Sequence, residues 1–586
     1  MRTYSTLLAV VAGTLGMFCV TLPAVAQNEN GAGAIRWKAG GLSSAAPAAT
    51  DPATVLAVPA DRHVVVQLSR IATSTQRNDL EAAGIRLLRY LGSNAYFAKV
   101  SGNAAVAAAG QAAGITSAFA LETDWKLHPM LLRGDFPEYA RGPAPAVAGK
   151  LTADAEKADG EVDTVALYVL FHPDVDFDTE SIAAVERQGG LIRSTMRSIN
   201  GAVIWVPLAN MTALAAEDVV QWLEPPLPPL DAVNDSNRAI TQADVVQAAP
   251  YNLDGSGINV LVYDAGTADA SHPDFGGRLS IRDNSGVISH STHVSGTVGG
   301  DGTASAGQYR GMAPAVTIQS YGFEQEGGLH EGFLYTDPGD IEADYDEAIN
   351  TYGAVISNNS IGTNTASNGF PCEWEGNYGA TAMLIDAIVG GSLGAPMRIV
   401  WANGNERGSG RCGTEYHTTA PPACAKNHIT VGALNSNDDS MTYFSSWGPA
   451  DDGRMKPDIS GPGCQSDDDN GVTSTLPGGG YGTYCGTSMA SPTVCGLSAL
   501  ILQDYKSLYP GEPLPRNSTL KILLAHNAVD LGNTGPDYMY GYGSVRVRDT
   551  IDFLRTGSFV EDTLEQGEEN LYLVRVTAGT AFLKAT

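Results

Sequence analysis

Three hydrophobic rhythms follow one another along the chain. The first is an apolar stretch over residues 7–22, behind Arg2 and ahead of Ala24-Val25-Ala26. A positive start, an apolar centre and small residues at the −3 and −1 positions form a secretory signal, so residues 1–26 are expected to be cleaved after Ala26. No other segment approaches the length that spans a bilayer. The second rhythm mixes short alternating runs with short helical ones. Residues 63–68 alternate as a strand, 75–83 as a helix, 85–100 as a hairpin, 104–113 as an Ala-rich helix and 115–125 as a last strand. A second unit repeats the plan with a strand at 165–171, a helix at 181–188, a hairpin at 191–206, a helix at 211–216 and a strand at 219–223. These read as tandem α+β modules of the split-βαβ type, at 61–135 and 161–230, with Ala/Gly/Pro-rich linkers at 27–60 and 136–160.

The third rhythm fills residues 231–555. Apolar strands at 258–263, 316–321, 354–357, 399–401 and 429–434 alternate with helices at 341–351, 380–389, 520–528 and one beginning near Ser488. Such alternation predicts an α/β fold built on a doubly wound, mostly parallel sheet. Beyond residue 556, strands are expected at 570–576 and 581–586, around Ala578-Gly579. They read as the start of a β-sandwich-like appendage over 556–586, cut short.

Composition narrows the function. Hydrophobic residues make up 43% of the chain and aromatics 8%, an ordinary globular balance. With 35 basic and 64 acidic residues the net charge is −29, which argues against nucleic acid as a partner and reads as a soluble, acidic surface. Of the seven cysteines, Cys19 leaves with the signal. Six remain (Cys372, Cys412, Cys424, Cys464, Cys485 and Cys495), and an even count in an exported protein favours disulfides, with fifteen connectivities open.

The chemistry is carried by three segments. Gly486-Thr487-Ser488-Met489-Ala490-Ser491-Pro492 opens an apolar helix, placing a hydroxyl in the first turn, where free N–H groups and the helix dipole favour an anion. Alone, this would be an ordinary N-cap serine. Upstream, 258–264 is an apolar strand ending in Asp264, at the carboxyl end where open α/β sheets place their sites. His290-Ser291-Thr292-His293-Val294-Ser295-Gly296-Thr297 runs from a turn into a small-residue helix. Acid, base and nucleophile therefore occur in the chain order Asp, His, Ser.

These segments resemble the signatures of the subtilisin-like serine proteases, the subtilases. The likeness continues through Ser357-Asn358-Asn359-Ser360-Ile361-Gly362, Ala402-Asn403-Gly404-Asn405-Glu406, Phe444-Ser445-Ser446-Trp447-Gly448-Pro449 and Lys456-Pro457-Asp458-Ile459. It covers roughly residues 235–550. The resemblance implies that Ser488 is the nucleophile, His290 the general base and then acid, and Asp264 the group that orients the imidazole. Asn405 would donate to the oxyanion alongside the Ser488 N–H. Substrate would lie extended along Ser360-Ile361-Gly362, with its P1 side chain near Ala402 and Gly404. No metal is expected in the chemistry; structural calcium is an expectation from the family, without named ligands.

The resemblance also implies that at least one N-terminal module is a pro-region, a folding aid and intramolecular inhibitor, cut near 225–231. It pairs Cys464 with Cys485. Cys495, by its place on the serine helix, reads as a buried thiol, which would leave another cysteine unpaired. His293 and His272 would be packed structural residues. One departure stands out: Ser291 occupies the place after the catalytic histidine where glycine is usual. The expected partners are protein or peptide substrates, with no nucleic acid and no membrane after signal removal. Besides a general secreted endopeptidase, two alternatives stay open: a catalytically dead binding module and a processing protease restricted to one partner.

Overall fold

The computed structural model describes residues 61–101, 114–137, 140–143, 163–226, 238–323, 337–363, 371–466, 471–565 and 568–576, a few isolated positions, and the backbone alone of 7–12 and 17–21. The helix expected at 104–113, most of the 27–60 linker and the connector at 227–237 lie outside the described residues.

The central sheet has seven parallel strands in the spatial order Leu279–Ile281, Thr317–Gly322, Asn259–Asp264, Ile356–Asn359, Arg398–Ala402, Ile429–Asn435 and Ile459–Cys464. Chain order reverses about Asn259–Asp264, since the next two strands lie on one side of it and the later four on the other. Asp264 thus ends a strand at the topological switch point, where α/β sheets open a crevice.

Side-chain alternation divides the sheet between two cores. Val260, Val262, Ile318, Ile356, Val400 and Val431 face the helices Ser289–Gly299, Thr487–Leu508, Asn517–His526 and Val547–Thr556. Leu261, Tyr263, Tyr321, Ile399 and Trp401 face Pro338–Asn350 and Ala380–Val389. Helices on both faces explain why the strands read as near-continuous apolar runs.

Two antiparallel sheets precede this domain. The first has the order Ile85–Gly92, Ala95–Val100, Arg62–Leu68, Ile115–Ala120, with the helix Ser74–Ala82 opened by a Thr73/Gln76 capping box. The second runs Val220–Glu224, Asp163–Phe171, Gly201–Pro207, Leu191–Met196, and Arg141–Pro143 pairs with the start of Asp163–Phe171 inside what composition read as linker. One face of the second sheet shares a core with the large domain: Tyr168, Met196, Trp205 and Trp222 pack with Ile341, Tyr345 and Ile385. The tail differs from expectation. Among the described residues of the tail, the strand is Val574–Val576, which pairs with Val10–Ala12, and residues 583–586 are irregular. A sheet needs a covered apolar face, and Leu571, Leu573 and Val574 are exposed.

The two small sheets meet at a buried histidine. His63 of the first donates through Nδ1 to Asp218 (2.6 Å) and through Nε2 to Asp174 (3.0 Å), and its ring stacks on His172 with centroids 3.9 Å apart. Lys99 also approaches Asp174, at 3.4 Å. Burial opposes the charged imidazolium, but the bonds and charges of both carboxylates outweigh it and raise the His63 pKa. Burial drives His172 the other way, aided by the charges of His63, Lys126 and Arg89, leaving it neutral. Asp174 is desolvated too, yet His63 and Lys99 bring it down to about 2.

The linkage follows directly. The His63 contribution is complete below the ordinary histidine pKa of about 6.5 and is lost as pH rises through its raised value; the Asp174 contribution is complete above about 4 and is lost as pH falls toward 2. Docking of the first unit is therefore expected to be tightest between about pH 4 and 6.5 and to loosen above that window. Limited proteolysis of the Ser488→Ala chain across pH 4–9 should show the first unit cut progressively faster above neutrality, with the trend flattened in His63→Gln. A pH-independent rate in the parent would contradict this.

Candidate active site

Asp264 is fully buried at the end of its strand. Its Oδ1 accepts from His290 Nδ1 at 2.7 Å and from the Ala265 N–H at 2.7 Å. Its Oδ2 is buried without a hydrogen-bond partner among the described residues. His290 is the second residue of the helix Ser289–Gly299. With Nδ1–H given to the carboxylate, Nε2 is left as the acceptor, and it too has no partner among the described residues. A buried basic nitrogen held in one tautomer with its lone pair unspent can take a proton from a group brought to it.

Ser488 lies at the start of the long helix Thr487–Leu508, which packs against the histidine helix. Its hydroxyl does not bond to His290; it donates to the Ser360 carbonyl at 2.9 Å. Ser360 answers by donating its own hydroxyl to the Ser488 carbonyl at 2.5 Å, and Asn358 Nδ2 donates to the Ser360 hydroxyl at 2.9 Å. The structure thus joins Asp264 to His290 and Ser488 to Ser360, with His290 and Ser488 on neighbouring helices.

Asn405 is half-buried at the mouth of this region. Its Oδ1 accepts from the Thr487 N–H (2.9 Å) and hydroxyl (3.0 Å), which orients the amide and leaves Nδ2 as a donor without a partner among the described residues. Gly404, whose N–H donates to the same threonine hydroxyl at 3.1 Å, has φ +104°, and a Cβ there would lie 2.7 Å from Ala420 Cβ. Only glycine satisfies both demands. Thr487, Asn358 and the hydroxyl of Ser360 were not singled out from sequence. Thr487 lies within the Gly486–Pro492 motif, but its bond to Asn405 spans 82 residues and leaves no local signal.

Ser360, Ile361 and Gly362 follow directly from the strand Ile356–Asn359. Ile361 is buried and its carbonyl accepts from Trp401 Nε1 at 2.6 Å. The N–H and C=O of Gly362 take no partner among the described residues, so the segment presents an open backbone edge. Ala420 lies 3.8 Å from a Cβ built on Gly362 and closes the space between Gly362 and Gly404, beside buried Ala402.

The histidine helix is braced by the hairpin Val472–Leu476/Gly480–Tyr484. Ser474 and Thr475 donate their hydroxyls to the carbonyls of His293 and Thr292, both at 2.8 Å. His293 is fully buried against Tyr484 with Nε2 3.1 Å from the Gly482 carbonyl, and burial, then the neighbouring His290, lowers its pKa so that it stays neutral. His272 bonds the Gly480 carbonyl at 3.0 Å from the other side. Ser291 is buried with its hydroxyl unpaired among the described residues, so it adds a Cβ and an unsatisfied polar atom inside this helix.

Cys464–Cys485 clasps the base of the hairpin; the second disulfide is Cys372–Cys412, and Cys424 and Cys495 are buried thiols. A bridge across 21 residues is worth about 3 kcal/mol in the chain-entropy account. Replacing both cysteines by alanine is expected to lower unfolding free energy by about that amount and to release the histidine helix, so activity should fall at temperatures where the fold persists. Denaturant unfolding beside activity assays checks this; unchanged values for both would show the clasp to be idle.

Comparison with known proteins falls on this framework. A family model described as the subtilase family matches residues 255–543. Serine protease AprX of Bacillus subtilis (strain 168) is 30% identical over 350 residues, covering 55% of this chain and 72% of the relative. The chain belongs to the subtilase family. Subtilisin E of the same organism is 27% identical over 375 residues, covering 62% of this subtilase and 84% of the relative, and subtilisin of Bacillus pumilus is 30% identical over 305 residues, covering 50% and 90%. A second model, for a domain of unknown function, matches residues 28–122.

This subtilase is a subtilisin-like serine protease, a hydrolase of peptide bonds whose family needs no cofactor for its chemistry. Calcium is common in the family. Among the described residues, the one trio of metal-type donors is Cys372, Glu375 and Cys412, and its two sulfurs are already joined to each other, so it does not form a calcium cage of oxygen ligands. No helix of the described residues is long and apolar enough to cross a membrane.

Proposed function

We propose that this subtilase is a secreted serine endopeptidase, made as a precursor and acting through an acyl-enzyme, with Ser488, His290 and Asp264 as its catalytic residues. The observation that carries the reading is His290, held at Nδ1 by a buried carboxylate while Nε2 is unspent. For reaction, the Ser488 hydroxyl turns about its Cα–Cβ bond from the Ser360 carbonyl toward Nε2. It attacks the scissile carbonyl as its proton passes to His290, which then protonates the leaving amine. Water repeats the sequence to free the acyl group. Asn405 Nδ2 and the Ser488 N–H meet the developing oxyanion; a donor of this kind contributes about 2.7–4 kcal/mol to the transition state. Substrate adds as a strand to the open edge at Gly362, its P1 side chain entering beside Ala402, Gly404 and Ala420.

The second N-terminal unit is suited to an inhibitory pro-region. Its sheet packs on the helices Pro338–Asn350 and Ala380–Val389. Glu224, held by Trp222 Nε1 at 2.7 Å, accepts from the Ala380 N–H at the first turn of the latter helix, and the Ser198 N–H donates to Glu342 at 2.8 Å. An exported precursor suits the residue 1–26 signal and two disulfides. N-terminal sequencing of the protein recovered from the medium, with mass-spectrometric mapping of cleaved peptides, tests this. A new terminus between 225 and 240 and cuts in many sequences support it. An uncleaved chain that leaves all peptides intact would sink it, and cuts confined to a single sequence would favour a dedicated processing enzyme.

A further inference from the structure

Away from the cleft, a cavity of about 290 Å³ opens between the loop residues 308–312, the back of the histidine helix at Gly296 and Thr297, and the strand Val472–Leu476. Two arginines line it, Arg238 and Arg310. In a chain with 64 acidic against 35 basic residues, an arginine pair without an acid between them is unexpected. Among the described residues neither guanidinium has a carboxylate at ion-pair distance. Arg238 makes two long bonds of 3.3 Å, to Gln247 Oε1 and the Gly307 carbonyl; Arg310 donates from Nε to the Asp301 carbonyl at 3.1 Å. The nearby acid is engaged elsewhere: the Asp301 carboxylate caps the Thr303 N–H and faces Arg278 at 3.8 Å. Asp244 is exposed and acts on Arg238 only through space.

We propose that this cavity is a binding site for a multivalent oxyanion, such as phosphate or a di- or tricarboxylate, clamped between Arg238 and Arg310. Two planar forks around one space suit bidentate recognition of such groups, which a lysine pair would not reproduce. The volume is about ten times the ~30 Å³ share of one water, room for a polyatomic anion with part of its hydration. Without an anion the two like charges confront each other: burial, then the Arg310 charge, already lowers the pKa of Arg238. The position gives the site a consequence. Arg238 is the first described residue after the connector at 227–237, and the cavity's other walls are the helix that carries His290 and the hairpin that braces it. An occupied clamp would tie the start of the catalytic domain to the helix that bears its base, while repelling a cation such as calcium from the same space.

The test is thermal unfolding of the full Ser488→Ala chain, which cannot digest itself, in sodium phosphate or citrate against sodium chloride at equal ionic strength. The expected result is a midpoint that rises and saturates at millimolar anion or below, as binding to the folded state requires. Arg310→Gln, at an exposed position that folding tolerates, and Arg238→Gln should each weaken the half-saturating concentration at least tenfold. Arg310→Gln should also raise the midpoint in chloride alone, because it removes a repulsion. Exclusion of kosmotropic salts from the surface gives a rise that stays linear with concentration and is the same in all variants. That result, or a saturable rise that survives both substitutions, overturns the proposal.

Discussion

Replacing Ser488 by alanine is expected to lower kcat by on the order of 10⁴-fold or more, the scale on which the members of a nucleophile–base unit act. The substitution removes the attacking oxygen and a single hydrogen bond, to the Ser360 carbonyl. Helix, hairpin and disulfide are untouched, so the thermal midpoint should move little. The variant also reports on maturation. If the precursor cuts itself, it should accumulate in the medium at full length with both N-terminal units attached. Processing at the parental rate would assign the cut to another protease while leaving the assignment of Ser488 to stand on kcat alone.

Asp264→Asn is expected to cost on the order of 10⁴-fold in kcat with little loss of fold. The reason lies in what the carboxylate alone supplies. Both the Ala265 N–H and His290 Nδ1–H point at Oδ1, each at 2.7 Å. With an amide oxygen in that place both bonds persist, but the imidazolium that forms as His290 takes the serine proton loses its buried counter-charge. With the NH₂ there instead, His290 is held with its proton on Nε2, the tautomer that cannot receive one from serine. A steady-state assay beside circular dichroism decides it, since a structural role alone would lose activity and fold together. Near-parental kcat with intact fold would remove Asp264 from the proposed mechanism.

How much of this was legible in the sequence depended on how far apart the deciding residues lie. The strand around 258–263 and the helix Ala380–Val389 were found within a residue, because apolar runs buried on both sides announce themselves locally. Ile459–Cys464 was not, since Ile-Ser-Gly-Pro-Gly-Cys has no strand composition; pairing with Ile429–Asn435 holds it in place. The helix Val547–Thr556 is obscured for a related reason: its charged residues hide an apolar stripe of Val547, Ile551 and Leu554 that the facing core reveals. In the tail, alternation at 570–576 promised more strand than formed, because pattern cannot supply a partner.

The candidate site shows the same division. Asp264, His290 and Ser488 were readable from short motifs. The bonds that hold Asn405 to Thr487 and Ser360 to Ser488 join positions 82 and 128 residues apart and emerge only from the fold. The pairing of Cys464 with Cys485 was expected from resemblance; what it clasps, a hairpin fastened to the histidine helix, was not.

The most direct test of the central claim is covalent labelling with a serine-directed phosphonate, followed by peptide mapping of the parent and of His290→Ala. The account predicts one modified residue, Ser488, at a rate that falls by orders of magnitude when the imidazole is removed. Label on any other serine, or labelling of Ser488 at an undiminished rate in His290→Ala, would contradict it.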